Sequence, residues 1–408
     1  MVATKTIKVT TGDGGSFDAY LAIPNAGHGP GLVILQEIFG VNETLRDVVR
    51  HFAEQGYVTV APDLFWRLEP NVSLGYSESD VQKAFGLYQR FDTALAIQDI
   101  VATGRALAAQ PECRGEIGVL GFCLGGTLAV LAAAEPVFRA SVAYYPVGLQ
   151  DMPTLPKVQC PTVIHFGGQD HLCPPEATAK IQAGFSANPH VKTYVYPNAG
   201  HAFFNKDRPE YNKSASGISL TRSLAVLRGE LGPDYDLSAL WDQHTMHEFV
   251  SRNAADTIET MVDEPYVNHV PTLTGGVGKK ELYHFYKNYF VDVNDESLTF
   301  TPVSRTVGVD RVVDELVVSF RHTKMMDYLL PGVPPTGKDV KFAMVSIVSF
   351  RGDKIYHEHI YWDHASLLAQ VGLLDPAKLP ISGAEQADKV LDPASVPSNA
   401  MMTTWKAP

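Results

Sequence analysis

The spacing of apolar residues divides the chain into two stretches with different predicted structure. Up to about residue 233, short apolar runs typical of buried strands alternate with segments whose apolar residues recur at helical spacing. This alternation predicts an α/β fold with a mostly parallel sheet. From about residue 236, two amphipathic helical segments precede several strand-like stretches, which predicts an α+β domain with a largely antiparallel sheet.

The elements follow from this pattern. In the first stretch, the predicted strands are 6–10, 16–23, 31–35, 57–61, 116–120, 139–145, 162–166 and 191–196. The predicted helices are 43–55, 80–90, 93–109, 127–134, 175–187 and 210–229. In the second stretch, we predict helices over 237–258 and 279–290 and strands over 298–308, 312–321, 340–351 and 354–363. A tail rich in Pro, Ala and Ser is predicted to be extended, which gives three parts: 1–234, 235–380 and 381–408.

Composition narrows the class of protein. The 408 residues carry a formal net charge of −12, which argues against nucleic acid or an anionic membrane as the main partner. Four cysteines in a chain of this length do not make a disulfide framework, and they fit a reducing compartment. We see no signal-peptide pattern and no apolar run long enough to span a bilayer. The expectation is a soluble, cytoplasmic protein.

The strongest chemical motif is the run Gly121-Phe122-Cys123-Leu124-Gly125-Gly126. It joins a predicted strand to a predicted helix, as in the G-x-nucleophile-x-G elbow, with Cys123 where serine is usual. The helix that follows directs its amino-terminal N–H groups at the sulfur, which favours the thiolate. The alternative is a buried, inert cysteine, because free cysteines are often buried.

Residues that follow two later strands complete a candidate catalytic group. Asp170 follows the strand 162–166 and His201 follows the strand 191–196, so the order is nucleophile, acid, base. His201 would act on the thiol and Asp170 would orient the imidazole. The backbone N–H groups of Leu124 and Ile38 are the predicted oxyanion donors. Glu37 lies in the same loop as Ile38 and could hold the thiol proton, or it could be an ordinary surface carboxylate.

Several segments in residues 6–230 resemble the dienelactone hydrolase family of α/β-hydrolases. They are Gln36 to Gly40, Gly56 to Phe65, Gly121 to Gly126, Gly168 to Asp170 and Gly200 to Phe203. The resemblance implies a Cys123–His201–Asp170 triad, with Glu37 as the resting partner of the thiol. It also implies hydrolysis of a lactone or activated ester through an acyl-cysteine, without a metal or organic cofactor.

The chain departs from this family where members bind an anionic substrate. Arginines are expected early in the helix after residue 80 and shortly after the catalytic histidine, but Val81 and the segment 202–206 stand there. The predicted substrate pocket is formed instead by Phe85, Phe203 and Phe204, with Lys206 or Arg90 as a source of positive charge. We therefore expect a less charged or larger substrate than dienelactone itself.

The second stretch, 240–375, resembles the SnoaL-like branch of the NTF2-like superfamily, in which helices and a curved sheet enclose a conical pocket. The resemblance depends on the helix-then-sheet order and on the segments 357–363 and 367–373. Alternation along the last strand places four polar residues on one face, and they are the predicted pocket candidates: His357, His359, Tyr361 and Asp363. They could perform acid–base chemistry, or they could be ordinary sheet and interface groups. Two histidines without a third ligand give poor support for a metal, so none is predicted.

Three functions remain open at this point. The leading hypothesis is a cysteine hydrolase of a small lactone or ester, whose second domain shapes substrate access, binds a small molecule or forms a homodimer. The first alternative is an isomerase or cyclase with its chemistry in the SnoaL-like domain. The second is a non-catalytic interaction protein with a vestigial hydrolase core.

Overall fold

The computed structural model describes residues 2–406 and divides into two compact units. The boundary falls between Asp234 and Tyr235, where the pattern of apolar residues changes. No helix in the described part of the chain is both long enough and apolar enough to cross a bilayer.

The first unit contains one eight-stranded sheet. Its strands are β1 (Ala3–Thr10), β2 (Ser16–Ile23), β3 (Gly29–Leu35), β4 (Val58–Pro62), β5 (Cys113–Phe122), β6 (Ala140–Tyr144), β7 (Thr162–Gly167) and β8 (Val191–Tyr196). Their order is β1-β2-β4-β3-β5-β6-β7-β8. Only β1 and β2 pair in antiparallel fashion with their neighbours, so the predicted mostly parallel sheet is confirmed.

Helices connect the parallel strands of this sheet. They are α1 (Glu43–Glu54), α2 (Glu78–Tyr88), α3 (Thr93–Ala108), α4 (Leu124–Ala132), α5 (Pro175–Phe185) and α6 (Lys213–Leu231). The central strands β3, β4, β6 and β7 are buried along their whole length, which explains their continuous apolar runs. Because these strands run parallel, their carboxyl ends lie along one edge of the sheet, where the candidate catalytic loops begin.

The described part of the second unit contains a six-stranded mixed sheet, five α-helices and a short π-helical segment (Tyr286–Phe290). The strands are β9 (Met261–His269), β10 (Thr274–Val277), β11 (Thr299–Val307), β12 (Arg311–Arg321), β13 (Asp339–Arg351) and β14 (Lys354–Trp362). The helices are α7 (Leu237–Phe249), α8 (Ala254–Glu259), α9 (Gly278–Phe285), α10 (His364–Gln370) and α11 (Glu385–Leu391). The order is β10-β9-β14-β13-β12-β11, antiparallel except where β14 meets β9.

Three predictions for this unit need correction. The helix predicted over 237–258 is two helices, because Arg252 adopts a positive φ of 50° and Asn253 caps α8. Strands β9 and β10 were missed, since β9 carries two acidic residues and β10 has only four residues. The tail predicted to be extended contains α11, which buries Ala387 and packs on β13. A 2.6 Å ion pair between Lys341 of β13 and Asp388 of α11 also holds this helix against the sheet.

Candidate active site

The turn between β5 and α4 has the strained geometry of a nucleophile elbow. Cys123 adopts φ 54° and ψ −114°, outside the regions that side chains favour, and it directly precedes the first residue of α4. A Cβ on Gly121 would lie 1.9 Å from the carbonyl oxygen of Gly125, so only glycine permits this close approach. The sequence motif therefore has the backbone conformation that exposes a nucleophile at the amino end of a helix.

The structure brings the three predicted catalytic residues together. Asp170 follows β7 and His201 follows β8, and the Asp170 Oδ2 atom lies 2.8 Å from His201 Nδ1. The other carboxylate oxygen accepts the backbone N–H of Leu172 at 2.8 Å. Cys123 interacts with His201 by charge and by a side-chain hydrogen bond. All three catalytic side chains are almost fully buried, so their interactions are weakly screened by water.

The pKa shifts of His201 and Asp170 favour the charged form of each group. Burial lowers the pKa of His201, but the charge of Cys123 and the hydrogen bond with Asp170 outweigh it and raise the pKa to about 10. Burial raises the pKa of Asp170, but the hydrogen bond and charge of His201 outweigh it, and the pKa is lowered overall. The site thus favours an imidazolium on His201 beside an ionised Asp170 at neutral pH.

Glu37 faces this group from the loop after β3. Its Oε2 atom accepts a 3.1 Å hydrogen bond from Nδ2 of Asn205, and that same nitrogen donates to the hydroxyl of Tyr76 at 2.8 Å. Tyr145 also hydrogen-bonds the carboxyl group. Burial raises the pKa of Glu37, although the charges of His201 and Arg208 act in the opposite direction. A carboxyl group with a raised pKa can hold a proton inside the site.

The two predicted oxyanion donors lie in segments that one hydrogen bond joins. The N–H of Gly125 donates to the carbonyl oxygen of Gln36 at 3.0 Å, which fixes the loop after β3 against the first turn of α4. Ile38 and Leu124 each lie within two residues of this bond. Their N–H groups therefore remain our prediction for the oxyanion hole.

Comparison with known proteins places this site in a family. The model of the dienelactone hydrolase family matches residues 17–231, more than half of the chain. The chain belongs to the dienelactone hydrolase family. A second model, SnoaL-like polyketide cyclase, matches residues 243–371. The chain thus joins a dienelactone hydrolase domain to a SnoaL-like domain.

The relatives of the dienelactone hydrolase domain cover the first unit. A carboxymethylenebutenolidase of Pseudomonas putida is 38% identical over 226 residues, which cover 55% of this chain and 96% of the relative. A carboxymethylenebutenolidase of Pseudomonas sp. strain P51 is 34% identical over 228 residues, covering 55% and 95%. Among solved structures, a dienelactone hydrolase-like promiscuous phosphotriesterase, P91, from metagenomic libraries is 23% identical with a TM-score of 0.48, covering 56% of this chain and 100% of its own.

The predicted substrate contacts of the dienelactone hydrolase domain are only partly supported. Phe203 is fully buried against Tyr145, and its contact with substrate stays a prediction. The Nζ atom of Lys206 pairs with Asp47 at 2.6 Å on the surface, which gives no support to its predicted role as the pocket cation. Phe204 stacks near Phe122, with ring centroids 5.5 Å apart. Phe204 and the half-exposed Phe85 remain predictions as substrate contacts.

Four residues near the triad were not predicted from the sequence. Tyr145 follows β6 at the same sheet edge as the catalytic loops, and its ring centroid lies 5.0 Å from that of His201. Arg208 lies over the ring of Tyr76, with its charge acting on Glu37. The other two residues are Asn205, which donates a hydrogen bond to Glu37, and Tyr88, whose pKa is raised by burial and by the charge of Cys123. Tyr145 directly follows a parallel strand, and from this position in the sequence it could have been predicted to lie near the catalytic loops.

In the SnoaL-like domain, the predicted polar face of β14 points away from the cavity. Glu358, Ile360 and Trp362 line a cavity of about 410 Å³, and the intervening residues lie on the opposite face. The four pocket candidates, His357, His359, Tyr361 and Asp363, were therefore wrong. The apolar Ile360 and Trp362 determine which face is buried. Asp363 instead caps α10 by accepting the N–H of Ala365.

Proposed function

We propose that the first unit hydrolyses a lactone or activated ester through an acyl-cysteine formed on Cys123. The observation that carries this proposal is the assembly of Cys123, His201 and Asp170 at a strained elbow, in a domain of a hydrolase family. The carboxymethylenebutenolidase relatives support the reaction class. The raised pKa of His201 and the position of Cys123 at the amino end of α4 support a thiolate nucleophile.

The first half of the reaction opens the ester. The Cys123 sulfur attacks the carbonyl carbon, and the carbonyl electrons move onto oxygen, which the N–H groups of Leu124 and Ile38 stabilise. The tetrahedral intermediate collapses with cleavage of the bond to the leaving oxygen. That oxygen takes the proton of the His201 imidazolium, which leaves a thioester on Cys123 and a neutral imidazole.

The second half regenerates the enzyme. His201 takes a proton from water, and the resulting hydroxide attacks the thioester carbon. The sulfur leaves as thiolate, the carboxylic acid is released, and His201 is again an imidazolium beside it. Asp170 keeps Nδ1 of the ring engaged throughout, so that the other ring nitrogen always faces the reacting atoms.

Glu37 would hold a proton near the thiol in the resting enzyme. The pKa of Glu37, which burial raises, supports this role, although the hydrogen bonds from Asn205 and Tyr145 act in the opposite direction. Arg208 would meet the polar end of the substrate, because its guanidinium lies beside the same loop and is only partly exposed. For the SnoaL-like domain, we propose a role in small-molecule binding or dimerisation. Its cavity supports the binding of a small molecule.

Rates of hydrolysis of a panel of lactones and activated esters test the proposal. Replacement of Cys123 by alanine should abolish turnover of every substrate, whereas Cys113→Ala, at a partly buried cysteine outside the site, should retain it. Full activity of Cys123→Ala would refute the acyl-cysteine. Loss of ester hydrolysis in Glu358→Gln, with Cys123→Ala active, would favour chemistry in the SnoaL-like domain.

A further inference from the structure

The cavity of the SnoaL-like domain has two charged parts in a largely apolar wall: Arg305, which is paired with Asp242 and Asp314, and a corner that carries two carboxylates. Most of its lining is aromatic or aliphatic, and Glu248 and Glu358 are nearly fully buried at its surface. His244, which is completely buried, contacts both carboxylates. None of these three residues has a part in the proposed ester hydrolysis. Two carboxylates buried side by side need a positive charge, from His244 or from a bound cation, to offset their loss of hydration.

The three side chains converge from two elements. His244 and Glu248 stand one turn apart on α7, and Glu358 comes from β14. The His244 Nε2 atom lies 3.2 Å from an oxygen of each carboxylate, and the three ligand atoms all lie within 4.8 Å of one another. Two ligands bonded to one ion at about 2.0–2.2 Å stand roughly 3 Å apart, which agrees with the 3.2 Å separations of His244 from each carboxylate.

A threonine fixes the orientation of the imidazole. The Oγ1 atom of Thr260 lies 2.6 Å from the carbonyl oxygen of Thr257, to which it donates its proton. It therefore accepts a hydrogen bond from Nδ1–H of His244, also at 2.6 Å. With Nδ1 engaged by Thr260, the other ring nitrogen, Nε2, faces the two carboxylates. Ligating histidines commonly have this arrangement, with the second nitrogen fixed by a neighbouring oxygen.

Two buried polar groups at this corner lack a well-formed hydrogen bond. The Oε1 atom of Glu358 has no donor in good geometry, and neither does the hydroxyl of Tyr286, which also lines the cavity. Both residues are no more than 1% exposed. Buried polar atoms are rarely left unpaired, so these two groups point to a missing ligand at the corner.

We propose that His244, Glu248 and Glu358 bind one divalent transition-metal ion, with its open positions directed into the cavity. One imidazole and two carboxylates suit Zn²⁺, Mn²⁺ or Fe²⁺, and the absence of thiolate ligands disfavours Cu⁺. The apolar walls would exclude bulk water and admit a small, largely apolar molecule whose oxygen reaches the ion. This site is independent of Cys123, so it gives the second unit a function of its own.

Metal binding to the full-length protein tests this proposal directly. Chelator-treated protein is titrated with Mn²⁺ by calorimetry, and Co²⁺ binding is followed by visible absorption. We expect one ion per chain and a Co²⁺ spectrum of nitrogen and oxygen ligands without a thiolate charge-transfer band. A thiolate band, or no binding tighter than millimolar, would overturn the proposal.

Substitutions then locate the ion. Glu248→Gln and Glu358→Gln keep side-chain volume and should weaken Mn²⁺ binding at least 100-fold, whereas Thr260→Val should weaken it about 10- to 100-fold. The matched controls are His357→Ala, on the opposite face of β14, and His247→Ala, on α7 outside the cluster. Both should bind as the unaltered protein does. Unchanged affinity in folded Glu358→Gln, checked by circular dichroism, would contradict the site.

Discussion

The Oδ2 atom of Asp170 lies 2.8 Å from Nδ1 of His201, so the acid holds the base in one orientation. This contact fixes a proton on Nδ1 and directs Nε2 at Cys123. Asp170 contacts His201 with one carboxylate oxygen and accepts the N–H of Leu172 with the other. We therefore expect Asp170 to contribute to catalysis by orienting the imidazole.

Replacing Asp170 by asparagine should lower kcat for ester hydrolysis by about 10²- to 10⁴-fold, because an amide can stabilise the wrong tautomer of His201. Steady-state kinetics with an activated ester measure this effect. Glu116→Gln removes an exposed surface carboxylate and should leave kcat unchanged. A kcat for Asp170→Asn within a few-fold of the unaltered protein would remove Asp170 from the triad.

The raised pKa of His201 predicts how stability depends on pH. The folded protein holds this proton more tightly than the unfolded chain, whose histidine pKa is near 6.5. The resulting stabilisation is fully present below pH 6.5 and is lost as the pH rises towards about 10. Urea unfolding between pH 6 and pH 10 measures the free energy of unfolding of the unaltered protein and of His201→Gln. The unaltered protein should be the more stable of the two at pH 6, and the difference should become smaller as the pH rises.

Cys123→Ser supplies the control for that experiment. The charge of Cys123 is the largest influence that raises the His201 pKa, so its removal should flatten the dependence on pH. An equally steep dependence in Cys123→Ser would show that the thiolate is not the partner of the imidazolium.

Gly125→Ala should destabilise the first unit and lower activity. An added Cβ would lie 2.4 Å from the carbonyl oxygen of Leu35 and 2.6 Å from that of Gln36, which displaces the loop that carries Ile38. We expect a cost of about 1–3 kcal/mol in the free energy of unfolding. Gly86→Ala on α2, where a Cβ meets nothing within 4 Å, should instead stabilise by about 0.5–1 kcal/mol. Equal effects of the two substitutions in urea unfolding would contradict the packing described for the elbow.

Arg208 should matter for substrates that carry a negative charge. Replacing it by alanine should raise KM for an anionic lactone about tenfold, because one charge-assisted contact of roughly 1.5 kcal/mol is lost. A neutral ester of similar size should keep its KM. Lys206→Ala is the matched control and should change neither value, since Lys206 pairs with Asp47 on the surface. Equal loss on both substrates would assign Arg208 a structural role.

The triad could be predicted from the sequence because local motifs carry it. The glycines around Cys123 need close backbone approaches, and the order of strands places Asp170 and His201 at the same sheet edge. The surroundings of Glu37 could not be predicted in this way. Asn205 and Arg208 reach that site through loop conformation, which has no periodic signal in the sequence.

The cavity of the SnoaL-like domain shows the same limit. His244 and Glu248 lie on a helix that the sequence predicted, and Glu358 lies on a predicted strand. Their convergence depends on which face of β14 meets α7, and the alternation in the sequence led us to predict that the face of His357 lines the pocket. The apolar residues of the strand, rather than its histidines, indicated the buried face.

Mass spectrometry of the acyl-enzyme tests the central claim most directly. Full-length protein is mixed with an activated ester, quenched in acid within milliseconds to seconds, and digested with protease. We predict an adduct with the mass of the acyl group on the peptide that contains Cys123, absent from Cys123→Ala and gone once the ester is exhausted. An acyl group on any other residue, or turnover by Cys123→Ala at the full rate, would contradict the acyl-cysteine mechanism.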